Sequence, residues 1–316
     1  MVDRKPTYKN RVLVTKEADG TQEYVTWEHA DSPITEGTPL NKQNLMSDEA
    51  AAAVGLSADA TPSKAFEAIG TSLGNLAADV DNLQYSNAGA HNAVYRGKFL
   101  GNTVTAAQYA AIKAGTFDDL YIGDYWTIGD VKYRIAAFDY FLNAGDTECT
   151  DHHAVILPDT CLYMTSMNST NTTGGGYVGS AMYKSNLEQA KTTIKNAFSD
   201  HILKHSIYLT NAVSNGRASG GAFCDSEVDL MCEHMVYGSG IFSPVSDGMN
   251  VPTNYRIEKS QLPLFQHEPS RICNRTPWWL RDVIDTISFA NVIGNGNAGA
   301  GIASASYGVR PYFCIY

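Results

Sequence analysis

Apolar residues recur at alternating spacings of three and four between Phe66 and Leu83, and this pattern constrains the fold more than any other. The residues of this apolar seam are Phe66, Ile69, Leu73, Leu76, Val80 and Leu83. The spacing is that of the a and d positions of a coiled coil, and it predicts a helix whose apolar face packs against other helices. The alternative is an amphipathic helix that packs on its own domain, as short helices usually do. The polar residues Asp79, Asp81 and Asn82 beside the seam favour self-association, which we expect to give a homotrimer.

The segments around this helix divide the chain into three predicted parts. Residues 1–46 contain a predicted β-hairpin with an Asp-Gly turn, followed by a stretch rich in Pro and Gly. Residues 47–92 hold the helix and, from 86 to 92, a predicted linker. Residues 93–316 alternate short apolar segments with Gly-, Asn- and Ser-rich loops, which predicts one α+β domain.

Within this third part, the patterns predict individual elements. They are a strand at 94–100, a helix capped by Thr105, a hairpin at 121–136 that turns at Gly129-Asp130, a strand at 153–157, a polar Gly-rich loop at 168–176, and helices at 180–204 and 227–236.

Charge and composition limit the partners. With a net charge of −10 and only 18% charged residues, the chain is a poor match for nucleic acid or an anionic membrane. No stretch approaches the roughly 20 apolar residues of a membrane span, and the first residues lack the apolar core of a signal peptide. The six cysteines form no CxxC pair. We expect mostly free thiols in a reducing cytoplasm, with one disulfide formed after release as the alternative.

The segment from Gly37 to Leu45, Gly-Thr-Pro-Leu-Asn-Lys-Gln-Asn-Leu, resembles a motif near the N-terminus of tail and baseplate proteins from phages of Gram-positive bacteria. The chain departs from that motif at Lys42 and Gln43, where small or acidic residues are frequent. The resemblance implies that residues 1–46 anchor the protein to the particle. The residues that carry it are Gly37, Pro39, Leu40, Asn41 and Leu45.

A longer resemblance covers most of residues 94–316. Pro-Trp-Trp-Leu-Arg at 277–281 and Gly-Val-Arg-Pro at 308–311 resemble the signature of a domain found in phage and prophage proteins of gut Firmicutes. Asp282 and Tyr312 replace the small residues usual there. The domain is similar to the C-type-lectin-like and formylglycine-generating-enzyme-like folds. The resemblance therefore implies a C-type-lectin-like domain at 93–316.

Four residues of the signature are predicted to be structural: Trp278, Trp279, Arg281 and Arg310. Adjacent residues of a strand face opposite sides, so the two indoles are expected to pack in different places. The two arginines are candidates for ion pairs or for donation to backbone carbonyls that fix irregular loops.

Between the two halves of the signature, residues 291–307 are small, polar and uncharged, which predicts a loop. The resemblance to lectin-like folds implies that this segment lies at the exposed ligand-binding face. In some phage relatives, the corresponding segment is diversified by retroelements. The alternative is a surface loop without a ligand. The candidate ligand-binding residues are Phe289, Asn291, Asn295, Asn297, Ser304, Ser306 and Tyr307.

Catalytic and metal motifs are weak. His152 and His153 would point to opposite faces of a strand, which disfavours a shared zinc ion. The acidic residues at 225, 227 and 229 lack the glycine and terminal glutamate of an EF-hand. Neither Cys273 nor Cys314 has a recognisable base. We therefore expect no enzyme activity, cofactor or catalytic residue, although a lectin-like fold leaves room for a structural cation such as calcium.

Together these features predict a virion protein of the phage tail tip, assembled in the bacterial cytoplasm and attached to other tail or baseplate proteins. Its lectin-like loops would bind a host cell-surface glycan or protein, without nucleic acid or membrane insertion. One alternative is a purely structural module whose lectin-like domain binds another virion protein. An enzyme acting on cell-wall glycans is the least supported alternative, because no acid–base pair is apparent.

Overall fold

The computed structural model describes residues 11–16, 18–26, 45–84, 87–210, 213–214, 217–218, 221–243 and 260–316. The chain divides into two compact units, Met1–Leu76 and Ala77–Tyr316, and the division falls within one long helix. Helices and strands are both abundant, which confirms the predicted α+β class. No helix in the described part of the chain is long and apolar enough to cross a membrane.

The first unit begins with the predicted hairpin. Strands β1 (Arg11–Thr15) and β2 (Gln22–Thr26) pair antiparallel. At the turn, Gly20 has a φ of +71°, a value that glycine adopts readily, and the Asp19 carboxylate accepts the Thr21 amide at 3.0 Å. Since both signals are local, the sequence was sufficient to predict this hairpin.

Two helices follow. Helix α1 (Asp48–Ala53) is capped by the Ser47 hydroxyl, which accepts the Ala50 amide at 3.2 Å. Helix α2 (Pro62–Gln84) has proline in its first position, where no amide is needed, and contains the whole predicted seam. A helix over 66–83 is thus confirmed. Four anchor residues, Gly37, Pro39, Leu40 and Asn41, lie outside the described residues.

The predicted linker at 86–92 is wrong for its second half. Helix α3 (Ala88–Asn92) begins at Asn87, whose side chain accepts the Gly89 amide at 3.0 Å. His91 is fully buried, and Nδ1 lies 2.7 Å from the Leu120 carbonyl. The Asn92 amide exchanges two hydrogen bonds with the Phe138 backbone, at 2.8 and 2.9 Å. These contacts make 88–92 part of the second unit.

A six-stranded sheet has the order β12-β17-β6-β5-β4-β3. Its strands are β3 (Phe99–Gly101), β4 (Tyr125–Ile128), β5 (Val131–Phe138), β6 (Ala154–Pro158), β12 (Val228–Leu230) and β17 (Pro311–Ile315). The turn at Gly129-Asp130 and the strand ending at Pro158 are confirmed. The predicted strand at 94–100 shortens to β3. Helix α4 (Ala106–Ala114) carries the predicted Thr105 cap, completed by a capping box with Gln108.

A five-stranded sheet has the order β15-β14-β13-β16-β7. Its strands are β7 (Tyr163–Thr165), β13 (Trp278–Val283), β14 (Ser288–Val292), β15 (Ala298–Ile302) and β16 (Tyr307–Val309). The prediction of one loop over 291–307 is wrong, because β15 and the start of β16 lie inside it. Arg281 links the two sheets, since its amide donates to the Met231 carbonyl, just beyond β12, at 3.0 Å.

Shorter elements fill the rest of the second unit. They are helix α5 (Gly176–Gly179), a π-helix (Met182–Asn186), α6 (Glu188–Phe198), a 3₁₀ turn (Ser199–His201), β8 (His205–Thr210), β9 (Val213–Ser214), β10 (Arg217–Ala218), β11 (Gly221–Ser226), α7 (Glu233–Tyr237), α8 (Pro263–His267) and a 3₁₀ turn (Pro269–Ile272). The predicted helix at 180–204 is therefore interrupted. The predicted helix at 227–236 is wrong over its first half, where β12 pairs with β17.

Candidate functional site

Strand β15 separates the predicted ligand-binding residues into two groups. At one end the chain turns at 293–297, where the Gly296 amide donates to the Ile293 carbonyl at 2.8 Å. At the other end it turns at 302–306, where the Ala305 amide donates to the Ile302 carbonyl at 2.9 Å. A five-residue strand at ~3.4 Å per residue holds the two turns about 17 Å apart. Asn295 and Asn297 therefore cannot share one small ligand with the serines of the other turn.

Two predicted ligand-binding residues are buried. Phe289 and Asn291 lie in β14, which is paired with β13 on one side and β15 on the other. Phe289 is fully buried, and Asn291 is 4% exposed. Because every residue of β14 is buried, neither side chain lies on an exposed face, contrary to the prediction.

The first turn is fixed to neighbouring segments. The Tyr237 hydroxyl donates to the Gly296 carbonyl at 3.0 Å, and the Cys273 thiol donates to the Gly294 carbonyl at 3.1 Å. A Cβ on Gly294 would lie 2.6 Å from the Arg275 carbonyl oxygen, so glycine permits this close approach. Asn295 and Asn297 are exposed. The side-chain oxygen of Asn295, however, accepts a hydrogen bond from the backbone amide of Asn297.

The second turn meets two other loops. We call residues 168–175, 285–287 and 302–306 together the three-loop surface. The Ser304 amide and hydroxyl both donate to Oδ1 of Asn171, at 3.2 and 2.6 Å. The backbone amide of Asn168 donates to the Ala303 carbonyl at 2.9 Å. The 168–175 loop and the turn after β15 are therefore held together directly.

Thr173 joins the third loop to the first. Its amide donates to the Thr286 carbonyl at 3.0 Å, and its hydroxyl donates to the Asp285 carbonyl at 2.6 Å. The Ala303 amide in turn donates to the Ile287 carbonyl at 2.8 Å. Each of the three loops is thus bonded to the other two, which restricts their independent motion.

The solvent face of this surface is mostly polar, apart from two isoleucines, and almost uncharged. Its exposed residues are Ser169, Thr170, Asn171, Thr172, Gly174, Gly175, Asp285, Thr286, Ile287, Ile302, Ser304 and Ser306. Asp285 is its only ionisable residue, and its carboxylate accepts the Ile287 amide at 2.8 Å. Hydroxyls and amides both donate and accept hydrogen bonds, so the surface suits a neutral ligand rich in hydroxyl or amide groups.

Tyr307 lies at the edge of the three-loop surface and is half-buried. Its ring packs on Trp279, with the centroids 4.6 Å apart, and the Trp279 indole donates to the Thr165 carbonyl at 2.9 Å. A Cβ on Gly301 would lie 2.6 Å from Tyr307 and 2.7 Å from Trp279. Glycine at 301 therefore leaves the space that these two rings fill.

The other signature residues hold backbone segments. Arg310 is fully buried and donates to the Pro158 carbonyl at 2.9 Å and to the Arg271 carbonyl at 2.8 Å. Its guanidinium carbon lies 5.2 Å from the ring centre of Trp278, which is also fully buried. Arg281 donates to the Leu230 carbonyl at 3.1 Å. Both arginines thus bind carbonyls, one of the two arrangements that the sequence suggested.

Cys149 and His153 lie close together in the second unit, a contact that the sequence did not predict. The Cys149 thiol is 4.0 Å from Nδ1 of His153. His153 is held by the Asp151 carbonyl at Nδ1 and by the Phe141 amide at Nε2, so these partners assign a neutral ring. Burial raises the pKa of Cys149 and lowers that of His153. A thiolate–imidazolium pair is therefore disfavoured, and the contact is structural.

The acidic residues near 225–229 do not converge on one point. Asp225 pairs with Lys204 at 2.6 Å, and Glu227 pairs with Lys195 at 2.9 Å. Asp229 is buried and accepts from the Ser226 hydroxyl at 2.9 Å. Across the described ranges, no group of three or more His, Cys, Asp or Glu side chains is arranged to hold a metal ion.

The apolar seam lies on the surface of α2. Phe66, Ile69, Leu73, Leu76 and Val80 are between 41% and 75% exposed. The side chain of Leu83 lies outside the described residues. Leu45, the one predicted anchor residue that the structure describes, is 59% exposed. Exposure of such a row of large apolar side chains to water is unfavourable.

No family model, curated protein or solved structure matches the chain.

Proposed function

We propose that the protein is a bacteriophage tail-tip protein that attaches the virion to the host cell. Its C-terminal domain adopts a C-type-lectin-like fold and binds a cell-surface glycan or protein. The observation that carries the proposal is the three-loop surface, in which three loops distant in sequence are hydrogen-bonded into one exposed face. Recognition is concentrated on loops supported by a rigid scaffold, and this surface has that construction.

The chemistry of the surface favours a glycan among the two receptor classes. Ser, Thr and Asn supply donors and acceptors that match sugar hydroxyls, and the loop-to-loop bonds reduce the entropy lost on binding. Asp285 is the only ionisable residue there, so binding would depend little on salt. Ser304 and Ser306 were among the predicted ligand-binding residues, and residues 169–172 join them.

The exposed seam of α2 supports a homotrimer. Three copies bury their seams against one another, and each trimer then presents three receptor-binding surfaces. Weak individual sites add up to firm attachment when they bind together. Residues 1–46 attach the trimer to other tail or baseplate proteins, which gives the protein its place in the virion. No cofactor or enzymatic step is part of the proposal.

Replacement of Ser169 and Thr170 by alanine tests the proposal. Both side chains are exposed, and neither makes a hydrogen bond within the described part of the chain, so the fold should be unaffected. The measurement is attachment of particles carrying the variant to host cells. The matched control is alanine at Asn102 and Thr103, an exposed polar pair beyond β3 in the other sheet.

We expect the loop variant to lose attachment and the control to retain it, with particle assembly normal in both. Normal attachment of the loop variant would contradict the proposal. Failure of its particles to assemble would instead favour the structural alternative, in which the domain binds another virion protein.

A further inference from the structure

The described residues of the first unit form a small core within one chain. Its buried side chains are Met46, Ala51, Ala60 and Ala65, with Val54 and Leu56 packed against them. Three of these four are alanines, which bury little apolar surface. Units of this size usually need disulfides, metals or association with other chains to remain folded.

An apolar cleft of about 180 Å³ lies beside this core. It is open to solvent between α1 and the start of α2, and its walls include Leu45, Ala50, Val54, Phe66 and Ile69. None of the residues that line it carries a charge. Leu45 and Phe66 are 59% and 75% exposed, so much of this apolar surface is in water in the single chain.

The cleft and the apolar seam share two residues. Phe66 and Ile69 line the cleft and also begin the 3-4 spacing of the seam. A helix that packs along the seam therefore reaches the cleft as well. Gly70, the next residue, lowers the helix propensity of α2. A Cβ at this position would lie more than 4 Å from the segments outside the surrounding turns of α2, so this face is open to another helix.

We propose that α2 of a second copy of this chain covers the cleft, so that residues 45–76 complete their core only on assembly. This inference rests on the homotrimer of the proposed function. A copy of the chain is the occupant because a seam of a and d residues is complementary to itself. Leu45, which the sequence predicted as a particle anchor, then belongs to the interface between subunits.

A charge in the cleft tests the inference without disturbing α1. In Ala50→Glu, the new carboxylate lies in the cleft wall but takes the third helical position after the Ser47 cap, where glutamate stabilises a helix. The control is Ala52→Glu, which is exposed on the same helix and does not line the cleft. Both substitutions are made in the full chain. A third variant, Leu76→Asp, changes the seam at a residue that does not line the cleft.

The measurements are solution mass across a dilution series and hydrogen exchange of amides 48–53. For the wild type, we expect exchange protection of α1 to be lost together with the trimer on dilution. Ala50→Glu should weaken association about ten-fold or more, whereas Ala52→Glu should leave it unchanged.

The outcomes separate the two claims. A trimeric wild type with Ala50→Glu as firmly associated as Ala52→Glu would overturn the cleft contact and leave the proposed trimer intact. Protection of α1 that persists in a dissociated monomer would also overturn it. A wild type that is monomeric at micromolar concentration, with Leu76→Asp indistinguishable from it, would overturn the trimer itself.

Discussion

Asn171 and Ser304 are 133 residues apart in the chain, yet one oxygen of Asn171 accepts both the amide and the hydroxyl of Ser304. This contact joins the loop that precedes helix α5 to a turn near the end of the given sequence. This oxygen therefore adds two hydrogen bonds to the backbone bond between Asn168 and Ala303, which joins the same two loops of the proposed receptor surface.

Replacement of Asn171 by alanine should loosen the three-loop surface. Because the contact is exposed, we expect a loss of about 1 kcal/mol or less in unfolding free energy. Attachment to host cells should weaken roughly three- to ten-fold, since the loops are no longer held in one arrangement before binding. Hydrogen exchange of the Ser304 amide reports the loosening. Asn171→Asp keeps the accepting oxygen, so its Ser304 amide should stay protected; equal exchange in the two variants would contradict the role of this oxygen.

A methyl group at position 301 should disturb the ring pair beneath β15. In Gly301→Ala the new Cβ would lie within 2.7 Å of both Tyr307 and Trp279, so the rings or the strand must move. We expect a loss of about 1–3 kcal/mol in unfolding free energy, together with a change in tryptophan fluorescence. The control is Ala300→Val, at the exposed position next to it, which should cost less than about 0.5 kcal/mol. Similar melting of the two variants would show that the space is not tightly filled.

Two buried histidines should make the protein sensitive to acid. Burial lowers the pKa of His205 from 6.5 to about 3, and it also lowers the pKa of His153. Both rings stay neutral in the folded chain, whereas the unfolded chain takes up protons below about pH 6.5. The contribution of His205 to stability is thus complete above pH 6.5 and is lost as the pH falls toward 3, by about 1 kcal/mol per pH unit at most. His153 contributes in the same direction.

Urea unfolding at several pH values measures this effect. His205→Phe keeps a ring against Phe141, whose centroid lies 4.1 Å from that of His205, but cannot take up a proton. Between pH 6.5 and 5, the variant should lose stability less steeply than the wild type, by the contribution of one histidine. An unchanged slope would show that His205 is not the titrating group.

A buried carboxylate should hold the segment after α7. Glu233 is fully buried and accepts the amides of Ile241, Phe242 and Ser243, at 2.8 to 3.2 Å. Glu233→Gln has one accepting oxygen in place of two, so we expect a loss of about 1–3 kcal/mol and faster exchange at these three amides. The control is Glu188→Gln, an exposed member of an ion pair, which should change stability by less than about 0.5 kcal/mol. Unaltered exchange at 241–243 would contradict the prediction.

Features fixed by nearby residues were predictable from the sequence. The Thr105 cap, the turn at Gly129-Asp130 and the helical seam each depend on residues within a few positions of one another. By contrast, the segment at 298–302 reads Ala-Gly-Ala-Gly-Ile, in which only the last residue is of the large apolar type typical of a strand. Trp279 and Tyr307 leave no room for a side chain at Gly301, and Asn291 and Ile293 leave none at Gly299. No local pattern indicates these contacts.

The same limit explains the errors at the linker and at the site. Residues 88–92 look like a linker, because the partners that hold His91 and Asn92 are Leu120 and Phe138. Ser304 was predicted as a ligand-binding residue. The loop that contains its partner Asn171 was predicted only as a polar, Gly-rich loop, with no residue in the site. These contacts join residues between 29 and 133 positions apart, so they depend on the assembled sheets and no local sequence pattern indicates them.

The 168–175 loop of the three-loop surface contains positions that hold the loop and positions that face solvent. Asn168, Asn171 and Thr173 use their side chains to hold the loop, whereas those of Ser169 and Thr170 face solvent and bond to nothing within the described residues. Substitutions at 169 and 170 can therefore alter what the surface recognises without altering the backbone that presents it. In evolutionary terms, the loop can diverge in specificity at these two positions while selection on folding acts on their neighbours.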